Sequence, residues 1–124
     1  MTDPTEIVSA FLASWESPDG VELGFRTYLT EQVTWENHGL VTTKGINQAV
    51  SFIANIASQF KMHSQRMEVL TMAASGNTVL IERVAHLYDA RGKEVAAIRG
   101  ASVFEVRNGK IEAWRDYYDT LPFG

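Results

Sequence analysis

The chain has 124 residues, an apolar fraction of 45% and a net charge of −4, values that predict one soluble globular domain over residues 1–124. The acidic balance and the lack of any basic run argue against nucleic acid or an anionic membrane as a partner. Cysteine is absent, which excludes disulfides and thiolate chemistry and favours a cytoplasmic location. The first residues are polar and unlike a signal peptide, and no apolar run approaches the ~20 residues of a membrane span.

Three amphipathic helices are predicted in the first half of the chain. The first is capped by Thr2 or Asp3, and the second covers residues 21–29. Residues 32–37 are predicted to be extended, and loops connect them to a third helix over residues 46–60. The third helix has the clearest apolar stripe, because its aliphatic residues recur every three or four positions.

The second half of the chain has the pattern of long strands joined by short turns. The strands are predicted over residues 62–73, 78–88, 93–106 and 110–119, and Asn108-Gly109 is the strongest turn signal. Helices followed by such a meander predict an α+β fold with a curved antiparallel sheet. Because strands of this length must twist, the sheet and the three helices should enclose a cone-shaped pocket for a small molecule.

Two charged residues are predicted to lie on the apolar face of this sheet. Arg83 alternates with aliphatic residues, and a buried guanidinium needs an anionic or strongly accepting partner. Asp116 lies between two aromatic residues of the last strand, about 9–10 Å away at the usual strand spacing. The strand between them offers the small residues Gly100 and Ser102, so we predict that Arg83 and Asp116 meet in the pocket. A purely structural ion pair is the alternative.

Four stretches of the chain resemble the limonene-epoxide-hydrolase and SnoaL-like branch of the nuclear-transport-factor-two-like superfamily. They are residues 33–37 (VTWEN), 80–84 (LIERV), 103–111 (VFEVRNGKI) and 114–119 (WRDYYD). The order of helices and strands fits as well, so the resemblance covers nearly the whole chain. It implies a cystatin-like α+β barrel with a cone-shaped pocket.

In the epoxide hydrolases of this branch, an Asp–Arg–Asp array acts with a Tyr and an Asn that help to hold the attacking water. The resemblance implies that Arg83, Asp116 and Asn37 take three of these places. Trp35 stands at the tyrosine position, and Ala85 replaces the second aspartate. Because an acid and a base each contribute a factor of roughly 10²–10⁴ in rate, the loss of one disfavours epoxide hydrolysis.

A single carboxylate beside an arginine resembles the SnoaL-like polyketide cyclases, in which an aspartate at this place moves a proton during ring closure. We therefore expect a cofactor-independent enzyme of the isomerase, cyclase or lyase type that uses Asp116 with Arg83. Arg83 or Asn37 would stabilise a developing oxyanion. Two alternatives stay open: epoxide hydrolysis with a relocated second carboxylate such as Glu36, and a non-catalytic small-molecule-binding domain. No histidine has a metal-ligand partner at useful spacing, so no metal is expected.

The substrate is expected to be small and hydrophobic, of an aromatic, polyketide or terpenoid kind. Core packing is at least as good an explanation for six of the predicted lining residues, namely Trp15, Tyr28, Trp35, Met62, Tyr118 and Leu12. For His63, a capping, surface or interface position is the alternative. The predicted lining consists of Trp35, Tyr118, Trp15, Leu12, Tyr28, Met62, His63, Ala85, Leu87, Ile98, Gly100 and Ser102.

The opposite face of the sheet also carries apolar side chains. Leu80, Val84, Val103 and Ile111 are predicted to lie there, where no predicted helix covers them. We therefore expect a homodimer that forms through the outer face of the sheet.

Overall fold

The computed structural model describes residues 3–17 and 20–123. None of the helices within these ranges is long and apolar enough to cross a membrane. In chain order the helices and strands are α1 (Pro4–Ala13), α2 (Gly20–Tyr28), β1 (Leu29–Asn37), β2 (Thr42–Lys44), α3 (Ile46–Phe60), β3 (Ser64–Ser75), β4 (Thr78–Tyr88), β5 (Glu94–Arg107) and β6 (Lys110–Tyr118). Single 3₁₀ turns follow α1 (Ser14–Glu16) and β6 (Leu121–Phe123).

The N-terminus of α1 and the C-terminus of α3 both have well-defined caps. Asp3 is the N-cap of α1, because its side chain accepts a hydrogen bond from the backbone N–H of Thr5 at 2.9 Å. Thr2, the other predicted cap, lies outside the described residues. The helix α3 ends at Lys61, which adopts the left-handed conformation with φ of 54°. The following strand therefore starts at Ser64, two residues later than predicted.

All six strands form one sheet in the order β2-β1-β6-β5-β4-β3. The meander of the last four strands is antiparallel, as predicted. β1 pairs with β6 in parallel, so the sheet is mixed rather than purely antiparallel. Residues 42–44, predicted as loop, form the short strand β2, because three residues are too few to show an alternating pattern.

The register of the sheet aligns the polar residues of its inner face. Asn37 pairs with Asp116, and Asp116 pairs with Ser102 on the next strand. Arg83 pairs with Gly100, which in turn pairs with Tyr118. Since side chains alternate along a strand, these positions bring the polar groups of β1, β4, β5 and β6 to one face.

One apolar residue lies on the opposite face from the prediction. Ile111 was expected on the outer face but is fully buried in the core. The reason is a register shift between β5 and β6, where Glu105 pairs with Ala113 and Val106 pairs with Ile111. Such a bulge inserts one residue and reverses the side-chain alternation beyond it.

The core lies between the helices and the inner face of the sheet. It is rich in aromatic rings, and α1 and α2 contribute Phe11 and Phe25, which are both fully buried. Phe11 packs edge-on against Trp114 of β6, with 5.4 Å between ring centroids. This packing holds the helices against the inner face of the sheet.

Candidate functional site

A cavity lies between α3, the inner face of the sheet and the C-terminal 3₁₀ turn. Its void measures about 540 Å³ when the space at its mouth is included. Most of its lining is aliphatic or aromatic, and its polar side chains other than the indoles are Asn37, Gln65, Arg83, Asp116 and Tyr118. An apolar concavity with a few convergent polar groups is the usual form of a small-molecule site.

The carboxylate of Asp116 is the most heavily hydrogen-bonded group of the cavity, and the residue is only 4% exposed. Its Oδ1 accepts from Ser102 Oγ at 2.6 Å and from Trp114 Nε1 at 2.7 Å. Its Oδ2 accepts from Trp35 Nε1 at 3.0 Å, and Arg83 Nη2 lies 3.6 Å from Oδ1. Donors and a cation at these distances stabilise the ionised carboxylate. Oδ2, with one donor, keeps room to accept another hydrogen.

The guanidinium of Arg83 is held from several sides. Its Nε donates to Ser102 Oγ at 3.3 Å, and its Nη1 donates to the carbonyl oxygen of Ile98 at 3.2 Å. Its Cζ lies 5.4 Å from the centre of the Tyr118 ring. Ser102 therefore connects the pair, because it accepts from Arg83 and donates to Asp116.

Gly100 and Ser102 support the site without lining the cavity. A Cβ atom at Gly100 would lie 2.5 Å from the Tyr117 carbonyl oxygen and 2.7 Å from the Tyr118 Cβ. The missing side chain thus allows β6 to approach β5 closely at this point. The small residues predicted between Arg83 and Asp116 therefore lie on the inner face of the sheet but do not line the cavity.

Asn37 and Tyr118 form a second polar pair at the cavity. Tyr118 donates its hydroxyl hydrogen to Asn37 Oδ1 at 2.8 Å. Burial raises the pKa of Tyr118, and the nearby Asp116 carboxylate raises it further, so the hydroxyl stays protonated. Asn37 is 3% exposed, and its Nδ2 has no hydrogen-bond partner in the part of the chain that the structure describes. That Nδ2 is a donor available to a ligand.

The predicted pocket residues divide into two groups. The lining includes the three predicted catalytic residues together with Trp15, Trp35, Ala85, Leu87, Ile98 and Tyr118. Leu12 and Tyr28 instead pack in or against the aromatic core. Met62 and His63 precede β3, and His63 is exposed, so neither reaches the cavity.

Sequence reasoning missed about half of the lining. The missed residues are Phe25, Phe52, Ile53, Ile56, Gln65, Met67, Trp114 and Phe123. Ile53 and Ile56 belong to the apolar stripe of α3, which indicated burial but not a cavity. Gln65 and Met67 pair with Leu87 and Ala85. Both could have been identified from the pairing of β3 with β4, because residues opposite the inner face of β4 must lie on the same face of the sheet.

Position 85, where the epoxide hydrolases of this branch have their second aspartate, carries no carboxylate in this chain. Ala85 lines the cavity, and Asp116 is the single carboxylate among the lining residues within 3–17 and 20–123. Glu36 does not line it, and its Oε2 lies 3.4 Å from Nδ1 of the exposed His38. Within the same ranges, no cluster of three or more His, Cys, Asp or Glu residues is arranged to hold a metal ion.

Several solved structures share this fold. One is described as a SnoaL-like polyketide cyclase from Jannaschia sp. CCS1, with 18% identity over 97% of this chain and 88% of that chain, at a TM-score of 0.79. An LEH-like epoxide hydrolase from M. tuberculosis shares 24% identity over 94% and 83% of the chains, at a TM-score of 0.76. TerC, co-crystallized with polyporic acid, shares 20% identity over 97% and 94%, also at 0.76.

At these identities the structural matches establish the fold alone. No curated protein matches the sequence closely enough to show a relationship. The model of the SnoaL-like domain family matches residues 8–114, which is most of the chain. The chain therefore belongs to the SnoaL-like domain family.

Proposed function

We propose that this protein is a cofactor-independent acid/base enzyme of the isomerase, cyclase or lyase type, acting on a small hydrophobic substrate. The observation that carries the proposal is the position of Asp116, whose carboxylate stands in a mainly apolar cavity beside the Arg83 guanidinium. Oδ1 is occupied by Ser102 and Trp114, whereas Oδ2 has a single donor, Trp35. Oδ2 is therefore the atom that can receive a proton from a ligand.

The proposed step is a proton transfer next to a carbonyl group. Asp116 Oδ2 takes the proton from the carbon beside the carbonyl, and the electron pair of the C–H bond forms an enolate. The carbonyl oxygen then carries the negative charge, which the free Nδ2 donor of Asn37 stabilises together with the Arg83 guanidinium. Return of the proton to another carbon gives an isomer. Attack of the enolate on an internal carbonyl instead closes a ring, and the resulting alkoxide oxygen takes the proton back from Asp116.

Epoxide hydrolysis is supported less well by the same cavity. Opening an epoxide with water requires one group to deprotonate the water and another to protonate the epoxide oxygen. Ala85 supplies neither, and Glu36 pairs with His38 away from the lining. Solved structures of this fold include both a cyclase and an epoxide hydrolase, so the argument rests on the residues of this chain.

A non-catalytic binding domain is the second candidate. It is favoured by the three hydrogen bonds that Asp116 already accepts from the protein, because these are the surroundings of a structural carboxylate. In such a domain, Asp116 would fix the shape of the cavity and the ligand would occupy its apolar part.

Hydrogen–deuterium exchange separates the two candidates. We expect the wild-type protein to catalyse exchange of the α-hydrogens of 2-tetralone in D₂O, followed by NMR. Asp116→Asn should lose roughly 10²–10⁴-fold in exchange rate, because the proton acceptor is gone. Glu36→Gln is the matched control and should exchange at the wild-type rate. An Asp116→Asn variant with full exchange would contradict the proposal, and calorimetric binding of 2-tetralone without any exchange would favour the binding domain.

We further propose that residues 1–124 form one domain and that two copies associate through the outer face of the sheet. Leu80 is 45% exposed on that face, its register partner Val103 is half-buried, and Val84 is half-buried four residues further along β4. The described helices pack on the opposite face, which leaves this patch for a second copy. Sedimentation velocity at micromolar concentration should show a dimer, and Leu80→Lys should shift it to monomer. A wild-type monomer would contradict the association.

A further inference from the structure

Gln65 is a buried amide at the cavity wall that the proposed proton transfer does not use. It lies on β3 opposite Leu87 of β4, lines the cavity and is only 5% exposed. The hydrogen bonds of the described polar groups around Asp116 and Asn37 do not include its carboxamide. Buried amides are nearly always hydrogen-bonded, so a cavity-facing amide outside the network is suited to a ligand.

Gln65 and Asp116 belong to separate regions of the cavity. They lie on β3 and β6, which have β4 and β5 between them, a separation of about 14 Å in a flat sheet. Both side chains nevertheless line the same void. Between them the wall carries Ala85, Leu87 and Ile98, which offer only apolar contact. The polar groups of the cavity are thus arranged as two ends joined by an apolar middle.

The chemistry of the Gln65 end selects an uncharged oxygen. A carboxamide can donate to a carbonyl and accept from a hydroxyl, but it carries no charge to neutralise an anion. The one cationic side chain of the lining within the described residues, Arg83, is already engaged with Asp116 and Ser102. A carboxylate at the Gln65 end would therefore be buried without a counter-charge, which is strongly unfavourable.

We propose that the cavity binds an elongated, uncharged hydrophobic molecule with an oxygen at each end, and that Gln65 recognises the end that does not react. The reacting oxygen lies at Asp116 and Asn37, and in this respect the inference rests on the proposed function. The second oxygen, a hydroxyl or carbonyl group, hydrogen-bonds to the Gln65 carboxamide. Gln65 is then a specificity-determining residue, since a ligand that lacks the second oxygen makes no hydrogen bond to its carboxamide.

Calorimetric titration with two biphenyls tests this directly. The wild-type protein should bind 4,4′-dihydroxybiphenyl roughly five- to tenfold more tightly than 4-hydroxybiphenyl, the usual effect of one net hydrogen bond. Gln65→Met has a side chain of similar length without the amide and should bind the two compounds equally. Gln59→Met, on the exposed side of α3, is the matched control and should keep the wild-type preference.

Three results would overturn the inference: equal affinities in the wild-type protein, a preference that persists in Gln65→Met, or no binding of either biphenyl. The wild-type comparison stands alone even if Gln65→Met does not fold. Because these are binding measurements, they are independent of the exchange assay. A biphenyl preference without exchange would leave Gln65 as the recognition residue and remove the acid/base role of Asp116. Exchange without the biphenyl preference would support the acid/base role of Asp116 and remove the recognition role of Gln65.

Discussion

Trp35 and Trp114 stack with their ring centroids 4.0 Å apart and their planes 7° from parallel, and both donate to the carboxylate of Asp116. They donate to opposite oxygens, Trp114 to Oδ1 and Trp35 to Oδ2. The two residues are register partners in the parallel pairing of β1 with β6. The same aromatic pair therefore excludes water from the carboxylate and replaces the hydrogen bonds that water would have made.

Trp35→Phe should destabilise the protein through the loss of this donor. A hydrogen bond to a charged group contributes about 1.5–3 kcal/mol, and we expect at least that loss in the free energy of unfolding measured with urea. Trp15→Phe is the matched control, because Trp15 Nε1 has no hydrogen-bond partner in the described part of the chain. If the two variants lost equal stability, the hydrogen bond from Trp35 to Asp116 would make no net contribution to the free energy of unfolding.

Gly100→Ala should disturb the site by displacing β6. The added methyl group would lie within 2.7 Å of Tyr118 Cβ and even closer to the Tyr117 carbonyl oxygen, so β5 and β6 must separate. Overpacking of this kind costs roughly 1–3 kcal/mol. Displacement of Tyr118 should also break its hydrogen bond to Asn37 and lower the exchange rate. Ala101→Ser changes the exposed neighbour on the outer face and should leave both the stability and the rate unaltered.

Ala85→Asp should give the cavity the acid that epoxide opening requires. Residue 85 lies two positions beyond Arg83 on the inner face of β4 and lines the cavity, so a carboxylate there would face the same space as Asp116. We expect diol formation from limonene oxide to rise by a factor of roughly 10² or more, as for the gain of a general acid. Ala85→Asn has the same size without the proton donor and should form no additional diol. Equal diol yields from Ala85→Asp and Ala85→Asn would contradict the assignment of residue 85 as the position of the second aspartate.

The inner face of the site could be predicted from the sequence because it follows from alternation within single strands. Arg83, Asp116 and Ser102 were placed by their parity, and the small residues between the charged pair indicated the meeting point. The indole of Trp35 as a donor to Asp116 could not be derived in the same way. Trp35 reaches Asp116 only through the parallel pairing of β1 with β6, which joins residues far apart in the chain and leaves no local pattern. Ile111 was misplaced for a related reason, since a one-residue bulge has no clear signature in the sequence.

His86 forms a charged cluster on the outer face of the sheet. Its Nε2 lies 2.8 Å from Glu68 Oε1, and its Nδ1 contacts the carboxylate of Glu94. The hydrogen bond to Glu68, followed by that to Glu94, raises the pKa of His86 above its ordinary 6.5, while burial and Arg66 act in the opposite direction. The hydrogen bond from His86 also lowers the pKa of Glu68 below its ordinary 4.5.

These two shifts predict how stability depends on pH. The raised pKa means that the contribution of His86 is complete below pH 6.5 and is lost as the pH rises through the folded-state value. The lowered pKa of Glu68 means that its contribution is complete above pH 4.5 and is lost as the pH falls further. The free energy of unfolding should therefore fall as the pH rises above 6.5 in the wild-type protein, and fall less in His86→Gln. His63→Gln, which changes an exposed histidine, should follow the wild-type curve. Parallel curves for wild type and His86→Gln would show that the cluster adds no stability.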